Sequence, residues 1–151
     1  MIEKAARASL LLIFAVFALE DHRNRKISLA MILTGIAAGF GSRMAGGKMD
    51  ISDIVLSLVP AAMIALISFA GAGAAGCADA CMAAVTGLFL GWHQNMVLIA
   101  VSFLICAAFS ILLICLRRIK WQDSLPFAPF MLAGLVALEA AKVISYSQAG
   151  T

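Results

Sequence analysis

Between Ile54 and Leu116 runs a 63-residue stretch in which Asp79 is the one formally charged side chain. No soluble core element is that long. A bilayer core of about 30 Å takes roughly 20 apolar residues per helix, so the stretch reads as several membrane crossings joined by short loops. The rest of the chain agrees, since 64% of the 151 residues are hydrophobic and only 13% are charged, with a mean hydropathy of +1.04. A chain of this length holds about six such helices and leaves no space for an added soluble domain. The expected fold is therefore all-α, a polytopic integral membrane protein of about six transmembrane helices, with residues 1–151 as a single domain.

Apolar runs bounded by charges or turn residues place the helices at roughly 5–20, 27–44, 54–73, 78–92, 95–116 and 126–146. The first of these resembles a signal peptide, but Glu20 and Asp21 follow the apolar run where a small-residue cleavage site would stand. It reads as a retained helix. Six crossings put both ends on one side. The first loop carries His22, Arg23, Arg25 and Lys26, and the fifth carries Arg117, Arg118 and Lys120, so six of the eleven Lys and Arg residues lie in two loops on a common side. The positive-inside rule makes that side cytoplasmic. The second loop, with Arg43 and Lys48 offset by Asp50 and Asp53, and a fourth loop of His93, Gln94 and Asn95 then face outward. The net charge of +3 lies in short loops rather than on a contiguous basic surface, which argues for orientation and against nucleic-acid binding. Trp92 and Trp121 fall near expected interfaces, where indoles anchor helices, and Glu139 and Lys142 are spaced to pair on the last helix.

Asp79 is the most informative residue. A carboxylate in an otherwise charge-free apolar stretch costs about 2.5–3.5 kcal/mol near the membrane centre, a cost that function usually justifies. A purely structural alternative is that Asp79 caps the fourth helix, where the dipole favours an anion. The topology adds a constraint: helix one ends inside at Asp21, and helix four begins inside after two further crossings. Asp21 and Asp79 therefore share a face. Asp50 and Asp53 lie on the opposite one, and Asp123, following Arg117, Arg118 and Lys120, reads as a solvated loop charge or a cap. Two carboxylates in one partly desolvated site cannot both ionise cheaply, so the pair titrates as a unit. That is the equipment of an aspartic peptidase, which needs no cofactor and no metal.

The four cysteines, Cys77, Cys81, Cys106 and Cys115, lie in apolar or near-apolar stretches and read as small hydrophobes. Cys77 and Cys81 share a helix face at i and i+4, but a metal site wants about four ligands and His93 lies toward the other membrane face. The run from Gly71 to Ala78 contains only Gly, Ala and Cys77, so backbones can approach closely there.

These residues resemble the type IV prepilin peptidases, in the short form that processes Flp pilins, over about Leu19 to Leu138. The stretch DHRNRKISL from Asp21 is similar to the family's D-x-R-x-R-x-I-P-N, with Ser28-Leu29 in place of Pro-Asn. GCADACM from Gly76 to Met82, followed by GLFLG from Gly87 to Gly91, is similar to G-x-G-D-x-K-[LM] with G-x-x-x-G; Ala78 stands for the second glycine and Cys81 for the lysine. LPFAPFMLAG from Leu125 to Gly134 resembles the Pro-Phe-x-Pro-Phe opening of the family's last conserved helix.

The resemblance implies that Asp21 and Asp79 are the catalytic pair, with Gly76 and Ala78 in a small-residue segment that a substrate backbone can approach. It implies cleavage of pilin-like precursors, whose short basic leader is removed just before a hydrophobic helix at the cytoplasmic face of the inner membrane. The paired Cys-x-x-Cys motifs of the bifunctional members are missing, so no N-methylation is expected. Two other readings stand beside this one. The first is a non-catalytic relative that binds pilin precursors, motivated by Cys81 and Ala78. The second is a small ion- or proton-handling membrane subunit in which Asp79 is the cation site. The precursor, the residue after the scissile bond and the oligomeric state are not legible in the sequence.

Overall fold

A computed structural model describes residues 2–24, 28–47, 50–70, 76–117 and 126–149. Six helices and no strand are found among them: α1 (Ile2–Asn24), α2 (Leu29–Ala45), α3 (Ile51–Ala70), α4 (Cys77–Leu90), α5 (Trp92–Cys115) and α6 (Ala128–Ala149). The order is the expected one, with two corrections. Asp21 lies inside α1 rather than beyond its end. The expected fourth loop is a single residue: α4 stops at Leu90, Gly91 turns with φ +77°, and His93, Gln94 and Asn95 form the first turn of α5. A glycine reverses the chain there because its backbone enters the left-handed region without a Cβ clash. Lys48, Arg25, Lys26, the run Gly71–Ala75, Arg118, Lys120, Trp121, Asp123 and the side chain of His22 lie outside the described residues.

α4 is the centre of the bundle. It packs most extensively on α3, then on α2, and touches α1 and α5. Seven of its residues, including Met82, Val85, Thr86 and Leu88, are buried. Small residues make these approaches possible. A Cβ on Gly39 of α2 would stand 2.8 Å from Leu88 Cβ, and one on Gly87 would run into the Ser57 carbonyl oxygen of α3. Around α4, Leu10, Phe14 and Phe17 of α1 and Met131 and Leu135 of α6 complete the core.

A buried polar cluster ties three of the helices. Thr86 Oγ1 donates to Asn95 Oδ1 at 2.7 Å, and Asn95 Nδ2 donates to the carbonyls of Ser57 and Ala83, each at 3.1 Å. Ser57 lies one turn before Pro60, which stands inside α3 without an N–H to give. Next to that break in the ladder, Ser57 accepts from a side chain on α5.

The outward surface is apolar. Ile51, Leu66 and Phe69 on α3 and Leu104 and Ile111 on α5 are more than 60% exposed. α3 and α5 are long and apolar enough to cross a membrane, and α2 and α4 are apolar but shorter.

At the end of the bundle away from Asp21, Arg43 is only 6% exposed. Its Nε donates to Leu88 O at 2.8 Å, its Nη2 to Gly87 O at 3.2 Å, and its Nη1 to Asp53 Oδ2 at 2.6 Å. A cation there meets the negative end of the α4 dipole and the carbonyls that the helix leaves unpaired. Replacing Arg43 by Met keeps the apolar stem and strips these partners, at a cost of about 1–3 kcal/mol. Asp53→Asn costs less, because the carboxylate is half exposed and keeps water as a partner. In detergent, the melting temperature of Arg43→Met is expected to fall further than that of Asp53→Asn. An equal or smaller fall would show that the carbonyl contacts contribute nothing.

Candidate active site

The two aspartates reach the same end of the bundle from different helix ends. Asp21 sits in the last turn of α1 and is half buried. Its Oδ2 accepts from the backbone N–H of Ala128, the first residue of α6, at 3.3 Å. Asp79 sits in the first turn of α4, also half buried. Its Oδ2 accepts from Gly76 N–H at 3.2 Å, while its own N–H donates to Gly76 O at 3.0 Å. This is the reciprocal part of a capping box, so the capping role considered for Asp79 is real. Capping occupies one carboxylate oxygen and is compatible with a second role for the group. The carboxylates of Asp21 and Asp79 are close enough for their charges to act on each other, and the thiol of Cys106 on α5 lies within range of Asp79.

Gly76 is extended, with φ −73° and ψ 141°, and a Cβ added to it would make only an ordinary 3.5 Å contact with Asp79. The backbone there does not require glycine. Gly76 is exposed and Ala78 half exposed, so the first turn of α4 presents little side chain beside Asp79. Cys77 is exposed and Cys81 half buried on a common face of that turn.

Neighbouring groups arrange the rest of this end. Glu20 Oε2 accepts from Ser28 N–H at 3.2 Å and so receives the start of α2; it is a cap and not a third acid. Val16, Leu19, Glu20 and Arg23 of α1 and Met31 of α2 line an open groove of about 460 Å³ beside it. Phe127 is buried and stacks on Phe103 of α5 with ring centroids 4.9 Å apart, which seats the opening of α6. Asp50 and Asp53 belong to the start of α3 at the other end, where Asp53 is paired with Arg43. Also at that end are Arg7, Glu139, Lys142 and Gln94. Glu139 contacts Arg7 and Lys142 at 3.2 Å each, and Lys142 donates to Gln94 Oε1 at 2.8 Å. The i, i+3 pair expected on α6 is thus present, extended to α1 and α5.

Sequence reasoning missed two of these features. Arg43 was weighed only as a loop charge, although a lone Arg at the end of an apolar glycine-bearing helix is a signal for a buried cap. The contact between Ala128 and Asp21 left no signal at all, because a backbone donor carries no residue identity.

Comparison with curated proteins and with solved structures returned no significant match. Residues 8–111, well over half of the chain, match the model of the type IV leader peptidase family. The match takes in both aspartates and ends within α5, leaving α6 outside it. The two acids, the helices that carry them and this match together place the chain: it belongs to the type IV leader peptidase family, a family of aspartic peptidases.

Proposed function

We propose that this chain is a six-pass membrane aspartic endopeptidase that removes the leaders of pilin-like precursors at the cytoplasmic face, with Asp21 and Asp79 as the working acids. The observation that carries the reading is that α1 and α4 bring these two carboxylates to one end of the bundle, within electrostatic reach, in a chain of this family. The apolar exterior of α3 and α5 supports the membrane setting, since soluble monomers rarely expose contiguous apolar surface of that extent. The basic loops that flank the aspartate end support a cytoplasmic orientation.

In this reading one carboxylate is ionised and takes a proton from water, which attacks the scissile carbonyl. The other carries a proton and gives it to the developing oxyanion or the leaving nitrogen. A pilin-like precursor fits the surroundings. Its hydrophobic segment lies in the lipid beside the bundle, and its leader emerges among the carboxylates.

Co-expression with a pilin precursor tests the assignment, with cleavage read as a mobility shift and the cut site mapped by mass spectrometry. The wild-type chain is expected to cut. Asp21→Asn and Asp79→Asn are each expected to lower the rate by a factor on the order of 10² to 10⁴ while inserting in the membrane normally. Cleavage that survives both substitutions would refute the aspartic mechanism.

Cys81→Lys asks a separate question, because it installs the residue that the family's motif carries two positions after Asp79. A native site fit for its own substrate is expected to change by less than about tenfold, a difference of about 1.4 kcal/mol. A much larger gain would mean that the natural chain binds precursors without cutting them efficiently.

A further inference from the structure

Of residues 128–130, which open α6, one alone has a backbone N–H free for use outside the helix. The N–H groups of Phe130 and Met131 both turn back to the Phe127 carbonyl, at 3.0 and 3.1 Å. Pro129 has no N–H. The remaining donor, on Ala128, goes to Asp21 Oδ2, 107 residues earlier in the chain. Ala128 is fully buried and Phe127 nearly so, with Phe127 against Phe103 and Phe130 against Phe109, so α5 determines where that donor stands.

Asp21 needs such a partner. In the last turn of α1 it lies at the negative end of its own helix, where a carboxylate is disfavoured. Among the described residues no cation on another helix lies at this end. Arg43 of α2 caps the far end of α4, Asp53 and Asp79 are the only charges of α3 and α4, α5 carries no formal charge, and Lys142 of α6 joins the network with Arg7 and Gln94. On α1 itself, Arg23 is exposed and Glu20 is turned toward Ser28. The α6 amide, at the positive end of its helix, is the oriented donor that Asp21 has.

We infer that the opening of α6 is a positioning element of the active site, in which the Ala128 N–H holds Oδ2 of Asp21 and leaves Oδ1 for the reacting water. The inference rests on the peptidase reading given above. It adds to the site a helix that lies outside the matched part of the chain.

Ala128→Pro removes this donor and little else, because the first residue of a helix is where proline is best accepted. Cleavage of the pilin precursor is to be measured with detergent-purified protein, per folded enzyme quantified by gel filtration and thermal unfolding. Loss of a hydrogen bond to a charged group predicts a fall in kcat of about 10- to 100-fold with KM unchanged. Ala128→Ser, which retains the N–H, is expected to restore most of the rate. Equal losses in Ala128→Pro and Ala128→Ser, or no loss in Ala128→Pro, would overturn the inference while wild-type cleavage leaves the peptidase reading intact. Failure of the wild type to cut any precursor would remove both. A second measurement does not depend on how the proline variant folds. In ¹⁵N-labelled protein, Asp21→Ala is expected to move the Ala128 amide proton upfield, and an unmoved resonance would also overturn the clamp.

Discussion

A guanidinium buried among apolar side chains needs every donor used, and Arg43 finds its partners in the last carbonyls of α4 and in Asp53. The rest of the bundle depends on this arrangement, because α4 is the helix that the others pack around. With its far end held by a charge and its middle held by Asn95 and Thr86, α4 has little freedom to slide or rotate. Breaking a buried ion pair on one side is far more costly than the net worth of the pair. Such contacts therefore select one packing among several that an apolar surface would allow. In a bilayer this matters more than in water, since lipid tails are as apolar as the helix faces and give no preference of their own.

Rigidity at one end has a counterpart at the other. The aspartates are not buried in the bundle core but sit half exposed where α1 ends and α4 begins, each with one oxygen bound to a helix-opening amide. Helix termini supply fixed, neutral donors that do not compete for protons, and they act on a carboxylate without neutralising it. A lysine or arginine in the same place would pair with the acid and lower its readiness to exchange a proton. Among the described residues the charge-paired groups are gathered at the opposite end, around Arg43 and Glu139. The two ends of the molecule thus divide the labour between holding the helices and keeping two acids available.

Much of this was legible in the sequence. Six apolar runs became six helices in the expected order, because lipid-scale hydrophobicity and helix length are both local properties that a chain cannot conceal. The meeting of Asp21 and Asp79 followed from counting crossings between them. Boundaries were less legible. The polar residues His93, Gln94 and Asn95 suggested a loop, but Asn95 satisfies its side chain on Ser57 and Ala83 and so continues the helix into the core. The role of Gly39 and Gly87 could be read only as closeness to something; which helix each would meet depended on the packing. Backbone donors such as that of Ala128 are invisible to any reading of side chains.

The shortness of α4 has a physical consequence of its own. At about 1.5 Å per residue, its 14 residues span about 21 Å, against about 36 Å for the 24 residues of α5. In the proposed bilayer that central helix is too short for a hydrocarbon layer of about 30 Å. Such hydrophobic mismatch is relieved by local thinning of the bilayer or by a funnel of water reaching inward. Because Asp79 opens the short helix, the thinned place and the acids coincide. A peptide bond buried by ordinary lipid thickness would meet solvent there, which is what hydrolysis at a membrane requires.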